Sequence, residues 1–371
     1  MPKDHYLPAS VIGRFSADNA ASARERMVFV LRKGNTAAFP TKAENIGYVN
    51  DLYRVSRAPV WSGGQTGAQT SIDPYLHGYE PALPWALDQL EHAAPVDIAT
   101  WLRTLVPYVA SIFVRGYDFI PRFMARPSLA ALSEDHNTTE NANNARIIEL
   151  QRLLPLVCCA RWVVLHKDSG QPFILNDLGL TRTVDAITGD LGWAVPIGRD
   201  SVLGIFPKQM RAVARYHAGE WWAITEYRRL DGIQAQGFND AMARVATSYV
   251  IGPDRQVVEH LAPLIGKHGD ASGLMDSWPF DHKTRVAHAQ DWDRLVSATA
   301  GNPAPGDLGD LQTVDPKSLA GGWCPPVGLI VNMREFPTGL KRIGNVIRLT
   351  LDTPPDYRDY FIRPVDVQSS G

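Results

Sequence analysis

The 371-residue sequence predicts an α+β protein: a helical N-terminal half packed on an antiparallel β-meander, then a small C-terminal β-containing extension. Three observations carry this expectation. Between residues 84 and 123 apolar side chains recur at threes and fours, the period of a helix face. From residue 162 onward, short apolar runs are separated by tight-turn sequences, which favours antiparallel neighbours over βαβ crossovers. Residues 299–326 are dense in Gly, Pro and Asp, and a strand-like run follows them. The composition thus divides the chain into a core over 1–265 and an extension over 266–371, with 299–326 as linker.

In chain order, residues 5–33 read as a strand, a polar turn over 16–26, and the strand 27–31, closed by Lys33-Gly34-Asn35. Residues 42–53 fit a short helix or an irregular lead-in, and 61–74, rich in Gly, Gln, Ser and Thr, a loop. The helical stripe runs through Trp85, Leu87, Leu90, Ile98, Trp101, Leu102, Leu105, Val106 and Val109. A polar loop over 133–144 precedes another helix, whose stripe includes Ile147, Leu150, Leu154 and Val157 and which Pro155 kinks. Strands 162–166 and 173–177 flank Lys167-Asp168-Ser169-Gly170, and strands 191–197 and 202–206 flank Gly198-Arg199-Asp200-Ser201. Each pair is expected as a hairpin. Residues 221–227 form a further strand and 235–249 a helix with Phe238, Met242 and Val245 on one face; strands 327–333 and 346–351 end the chain. No internal repeat is present.

Bulk chemistry removes several function classes. Hydrophobic residues are 45% and charged residues 20%, enough apolar side chains for a sizeable core. A net charge of -2 gives no global field toward nucleic acid or anionic lipid, so general nucleic-acid binding is not expected. The three cysteines, 158, 159 and 324, have neither CxxC nor zinc-finger spacing and read as reduced thiols. The opening MPKDHYLPASVIGRFS lacks the apolar run of a signal peptide, and the most apolar helical stretch, 103–115, is too short to span a bilayer. A cytoplasmic protein without a membrane partner is expected. Phosphate-loop, dinucleotide, HExxH and GxSxG motifs are absent from the sequence.

Five short motifs follow one another: His5-Tyr6-Leu7-Pro8 with Val11-Ile12-Gly13-Arg14-Phe15; Trp162-Val163-Val164-Leu165; Phe173-Ile174-Leu175-Asn176-Asp177-Leu178-Gly179; Val195-Pro196-Ile197; and Phe238-Asn239-Asp240-Ala241. In this order they resemble the bacterial family called domain of unknown function 4238, over roughly residues 4–255. The resemblance implies a fold and candidate positions, with no reaction attached. Asn176 stands where that family has Ser, and Gly179 where it has Pro, so no serine chemistry is implied there.

The candidate catalytic residues are His5, Asn176 and Asp177. With Phe173 and Leu175 facing the core, period two sends Asp177 to the same face, where a carboxylate must be paired, capping or functional. One reading is an Asx-turn that lets Gly179 take a positive φ. The other brings Asp177 to His5, orienting the ring to take a proton from water or a hydroxyl. Lys208, Arg211 and Arg215 fall on one expected helical face near Arg228-Arg229, either as a solvated surface or as a site for phosphate or carboxylate oxygens. Arg182, Arg211, Arg215 and Asn239 are the substrate-binding candidates. The helical segment 280–294 supplies a single His288–Asp291 pair, so no metal site is expected; a cofactor and an oligomeric state are not indicated. Two functions remain open. One is a hydrolase acting on a phosphodiester or nucleotide-like anion. The other is a non-catalytic binding or defence-associated accessory protein with a protein partner.

Overall fold

The computed structural model describes residues 3–18, 22–54, 71–97, 100–119, 142–143, 146, 150, 153–154, 157–158, 160–206, 214–217, 220–223, 225–268, 340–343 and 346–349. Helices and sheets are mixed along the chain, and strands dominate. The first 50 residues carry β1 (Lys3–His5), α1 (Ala9–Ile12), β2 (Met27–Arg32), β3 (Phe39–Lys42) and β4 (Tyr48–Asn50). Then come α2 (Asp73–His77), α3 (Leu83–Glu91), a π-helical turn (Trp101–Leu105) and α4 (Val106–Arg115). Strands β5 (Arg161–Lys167), β6 (Leu175–Asn176), β7 (Thr181–Val184), β8 (Leu191–Pro196), β9 (Ser201–Phe206), β10 (Ala214–His217), β11 (Glu220–Ala223) and β12 (Thr225–Leu230) follow. The described chain ends with α5 (Gly232–Val245), β13 (Tyr249–Gly252), α6 (Arg255–His260), β14 (Leu340–Ile343) and β15 (Val346–Leu349).

The helical N-terminal half expected from the sequence is not what forms. The apolar run 27–31, expected as a strand, forms β2 and pairs with β3, whereas residues 42–53, read as a short helix or an irregular lead-in, contain a 3-10 turn and β4. The periodic run after residue 84 is not one helix either. α3 stops at a left-handed Ala93 (φ 52), and helix restarts where the Asp97 side chain accepts Thr100 N-H at 2.8 Å.

Two main sheets carry the molecule. One has the order β12-β5-β9-β8-β7, antiparallel except where β12 runs parallel to β5. The other is antiparallel, in the order β3-β2-β13-β6. The expected β8–β9 hairpin is present; the expected hairpin across Lys167–Gly170 is not. Arg161 to Val164 are buried, so β5 is a central strand with β9 on one edge and β12 on the other. The chain beyond Gly170 therefore passes to the second sheet, where β6 pairs with β13. Arg215 lies on β10, a strand paired with β11, so no helical stripe runs through it; Lys208, Arg211 and residues 280–294 lie outside the described residues.

Helix α4 is buried along its whole length, which makes it a core helix with no solvent face. Phe113 meets Trp193 of β8 edge-on at 5.2 Å, and Trp101 meets Trp162 of β5 at 5.3 Å, fixing this segment to the five-stranded sheet. α5 begins with a capping box: Asp231 accepts Gln234 N-H, and the Gln234 side chain accepts Asp231 N-H. It ends at Val245, short of the expected 249, because Tyr249 enters β13.

Candidate functional site

Asp177 sits directly after β6 and is fully buried. Oδ1 accepts Thr247 N-H at 2.9 Å. Oδ2 accepts Thr247 Oγ1-H (2.5 Å), Ser248 N-H (2.6 Å) and Tyr117 O-H (2.7 Å). Burial raises its pKa, and these four donors work in the opposite direction. Its own N-H donates to the Tyr249 carbonyl at 3.2 Å. Asp177 thus holds the turn between α5 and β13, and with it the start of one of the two inner strands of the second sheet.

The expected His5–Asp177 pair does not form. The His5 ring is turned across the β1–β4 ribbon, with Nε2 3.2 Å from the Glu44 carbonyl, and tilts against Tyr48 at 5.5 Å. Burial pushes its pKa down. No hydrogen bond or ion pair links the two side chains among the described residues; local partners hold each of them first.

The amide candidates serve the backbone. Asn176 Oδ1 accepts Leu178 N-H at 3.2 Å, so the Asx-turn is built on Asn176 and not on Asp177, where the sequence reading places it, and Gly179 takes φ +77. Its Nδ2 donates to the Leu180 and Met242 carbonyls. Asn239 on α5 accepts Ile174 N-H and donates to the Pro172 carbonyl, so both amides tie α5 to the strand. Arg182 lies exposed on β7 with its guanidinium 5.8 Å from the Trp193 ring centre. Arg211 is outside the described residues, and only the backbone of Arg215 is described.

What Asp177 positions is one wall of a cleft. The cleft has a volume of about 390 Å³ and is lined by Tyr6, Arg32, Asn45, Ile46, Gly47, Tyr48, Ser248 and Tyr249. That size suits a small molecule. The β2–β13 register sets Arg32 opposite Tyr249, and the turn before β4 supplies Gly47. The Gly47 carbonyl accepts the N-H groups of Tyr6 (2.9 Å) and Leu7 (3.2 Å). The hydroxyls of Tyr6 and Tyr249 share a hydrogen bond at 2.6 Å. Burial and the nearby Asp177 charge raise the pKa of Tyr6, so both phenols stay protonated at neutral pH. A pair of hydroxyls uses one proton between them; the other remains free to donate.

No family model, curated protein or solved structure matches the chain. The likeness to domain of unknown function 4238 therefore rests on the motifs quoted above.

Two cations border the cleft without a carboxylate partner among the described residues. Arg32 lies 5.5 Å from the Phe39 ring, and Lys3 sits over Tyr48 at 4.6 Å while donating to Asn45 Oδ1. Asp177, the carboxylate behind Ser248, is closed off by its own hydrogen bonds. Among the described residues, no group of three or more His, Cys, Asp or Glu side chains is arranged to hold a metal ion. No helix among them is long and apolar enough to cross a membrane.

Sequence reasoning missed a second polar centre beneath β1. Arg115, at the end of α4, is fully buried. It donates to the Tyr79 hydroxyl and the His5 carbonyl, contacts His77 Nε2 at 2.7 Å and pairs with Glu80 at 2.8 Å. The only signal in the sequence was a charged residue at the end of an apolar helix, which a surface position explains equally well.

Proposed function

We propose that this chain is a non-catalytic binding protein that takes a small oxyanion, a phosphate or carboxylate group, in the cleft between β1–β4 and β2–β13. The supporting observation is that the Arg32 guanidinium, which has no carboxylate partner among the described residues, lines the same cleft as the hydrogen-bonded Tyr6–Tyr249 hydroxyl pair. A guanidinium and a neutral phenol are both donors, and neither removes a proton at neutral pH. A hydrolytic reading draws less support, because His5 and Asp177 each bind elsewhere.

The test is calorimetric titration of the full chain with inorganic phosphate, malonate and an uncharged sugar. Saturable binding of an oxyanion that weakens as salt rises supports the reading. Failure of both anions to bind, or equal binding of the sugar, overturns it. Turnover of an activated phosphodiester that His5→Gln abolishes would establish the hydrolase instead.

A further inference from the structure

Arg115 reaches β1 through one atom that has two claims on it. Its Nη2 donates to the His5 carbonyl at 2.5 Å and lies 2.7 Å from His77 Nε2. The same Nε2 lies 2.6 Å from Asp73 Oδ1, while Nδ1 lies 3.1 Å from Glu80 Oε1. A neutral ring accepts from Arg115 at Nε2. A protonated ring donates from both nitrogens, to Asp73 and Glu80, and then presents N-H to N-H across the Arg115 contact. The two states cannot hold the guanidinium in the same place.

We propose that His77 is a proton-operated latch: its charge sets the position of Arg115, hence of the His5 carbonyl and the Tyr6 wall of the cleft. The link to ligand binding rests on the function proposed above. The link to β1 does not.

The groups around His77 come from several elements. Asp73 shares α2, Glu80 and Tyr79 follow it, Arg115 comes from α4, Asp4 and His5 from β1, and the Tyr53 ring lies edge-on at 6.4 Å. Burial and Arg115 oppose protonation, but the two carboxylates outweigh them and raise the His77 pKa above its ordinary value. The His5 pKa is lowered, so the two imidazoles titrate on opposite sides of that value. Protonation at His77 repels Arg115, loosens β1 and weakens ligand binding.

The experiment follows imidazole and backbone amide signals of the full chain by nuclear magnetic resonance from about pH 5 to about pH 9, the range histidines titrate. The Tyr6 and Tyr48 amides are expected to shift with the His77 midpoint, and this transition is expected to vanish in His77→Gln. Amides that stay flat through the His77 midpoint, or that follow His5, overturn the latch. If the variant fails to fold, agreement of midpoints in the natural chain decides. Phosphate affinity is expected to be about fivefold lower below the midpoint. Phosphate that binds equally on both sides overturns the coupling to the cleft. Absence of any phosphate binding counts against the proposed function alone, because the amides still decide the latch.

Discussion

The hydroxyls of Tyr6 and Tyr249 meet at 2.6 Å across 243 residues of sequence. They line the cleft and join the N-terminal ribbon to β13, an inner strand of the second sheet. Tyr249→Phe leaves the Tyr6 hydroxyl with no phenolic partner. The expected loss of stability is about 1 kcal/mol by urea denaturation. Oxyanion affinity is expected to fall by more than that alone explains, because the donor pair is gone. Unchanged affinity in a folded variant would remove the phenols from the binding site.

Asp177→Ala leaves four donors facing a buried void: Tyr117, Thr247 Oγ1, and the N-H groups of Thr247 and Ser248. We expect a loss of about 3–5 kcal/mol in chemical denaturation. Asp177→Asn keeps the volume and part of the acceptor set, so it should lose about half as much. Near-equal stability of the alanine variant and the natural chain would show that the α5–β13 turn does not depend on this carboxylate.

Gly47 has φ +75, and a Cβ there would meet Ile12 Cδ1 at 2.7 Å and Leu7 Cβ at 3.2 Å. Gly47→Ala combines a left-handed backbone with a clash, for an expected loss of about 2 kcal/mol in thermal or urea unfolding. Gly34 has φ +84 and open space around it, so Gly34→Ala should lose less. The reverse order of the two would contradict the packing at the β1–β4 turn.

Glu80 supplies a pH signature. Burial opposes its ionisation, but Arg115 and His77 hold its pKa at about 2, below the ordinary 4.5. A depressed carboxylate adds stability at pH values above its unfolded pKa and loses it as pH falls through the folded one. The melting temperature should therefore drop between pH about 4.5 and about 2. In Glu80→Gln that part of the acid slope should flatten. An acid slope identical in the two proteins would show that Glu80 carries no such linkage.

Local chemistry was readable in the sequence, and partners distant along the chain were not. A turn ending at Gly179 was readable, although its side-chain acceptor is Asn176 and not Asp177, and the β8–β9 hairpin follows from Gly198–Ser201 between two apolar runs. The capping-box residues Asp231 and Gln234 mark the start of α5, although the expectation placed it at 235. The pairing of β5 with β12 rather than with the strand after its own turn depends on burial of both faces of β5, which an apolar run alone does not reveal. Asp177 was singled out correctly as a carboxylate that needs partners. Those partners came from Thr247 and Ser248, some 70 residues away, which no local pattern announces. His5 and Arg115 are the same case: their roles appear only once β1, α2 and α4 have met.

The proposed binding role turns on the Arg32 guanidinium, which has no carboxylate partner among the described residues. Arg32 is exposed, outside the core, and its substitution should leave the fold intact. Calorimetric titration of phosphate into the natural chain and into Arg32→Ala, at matched low salt, is the direct measurement. We expect saturable binding to the former and at least about tenfold weaker binding to the latter, with equal melting temperatures. Equal affinity of the two chains for phosphate would place any anion site elsewhere and contradict the account.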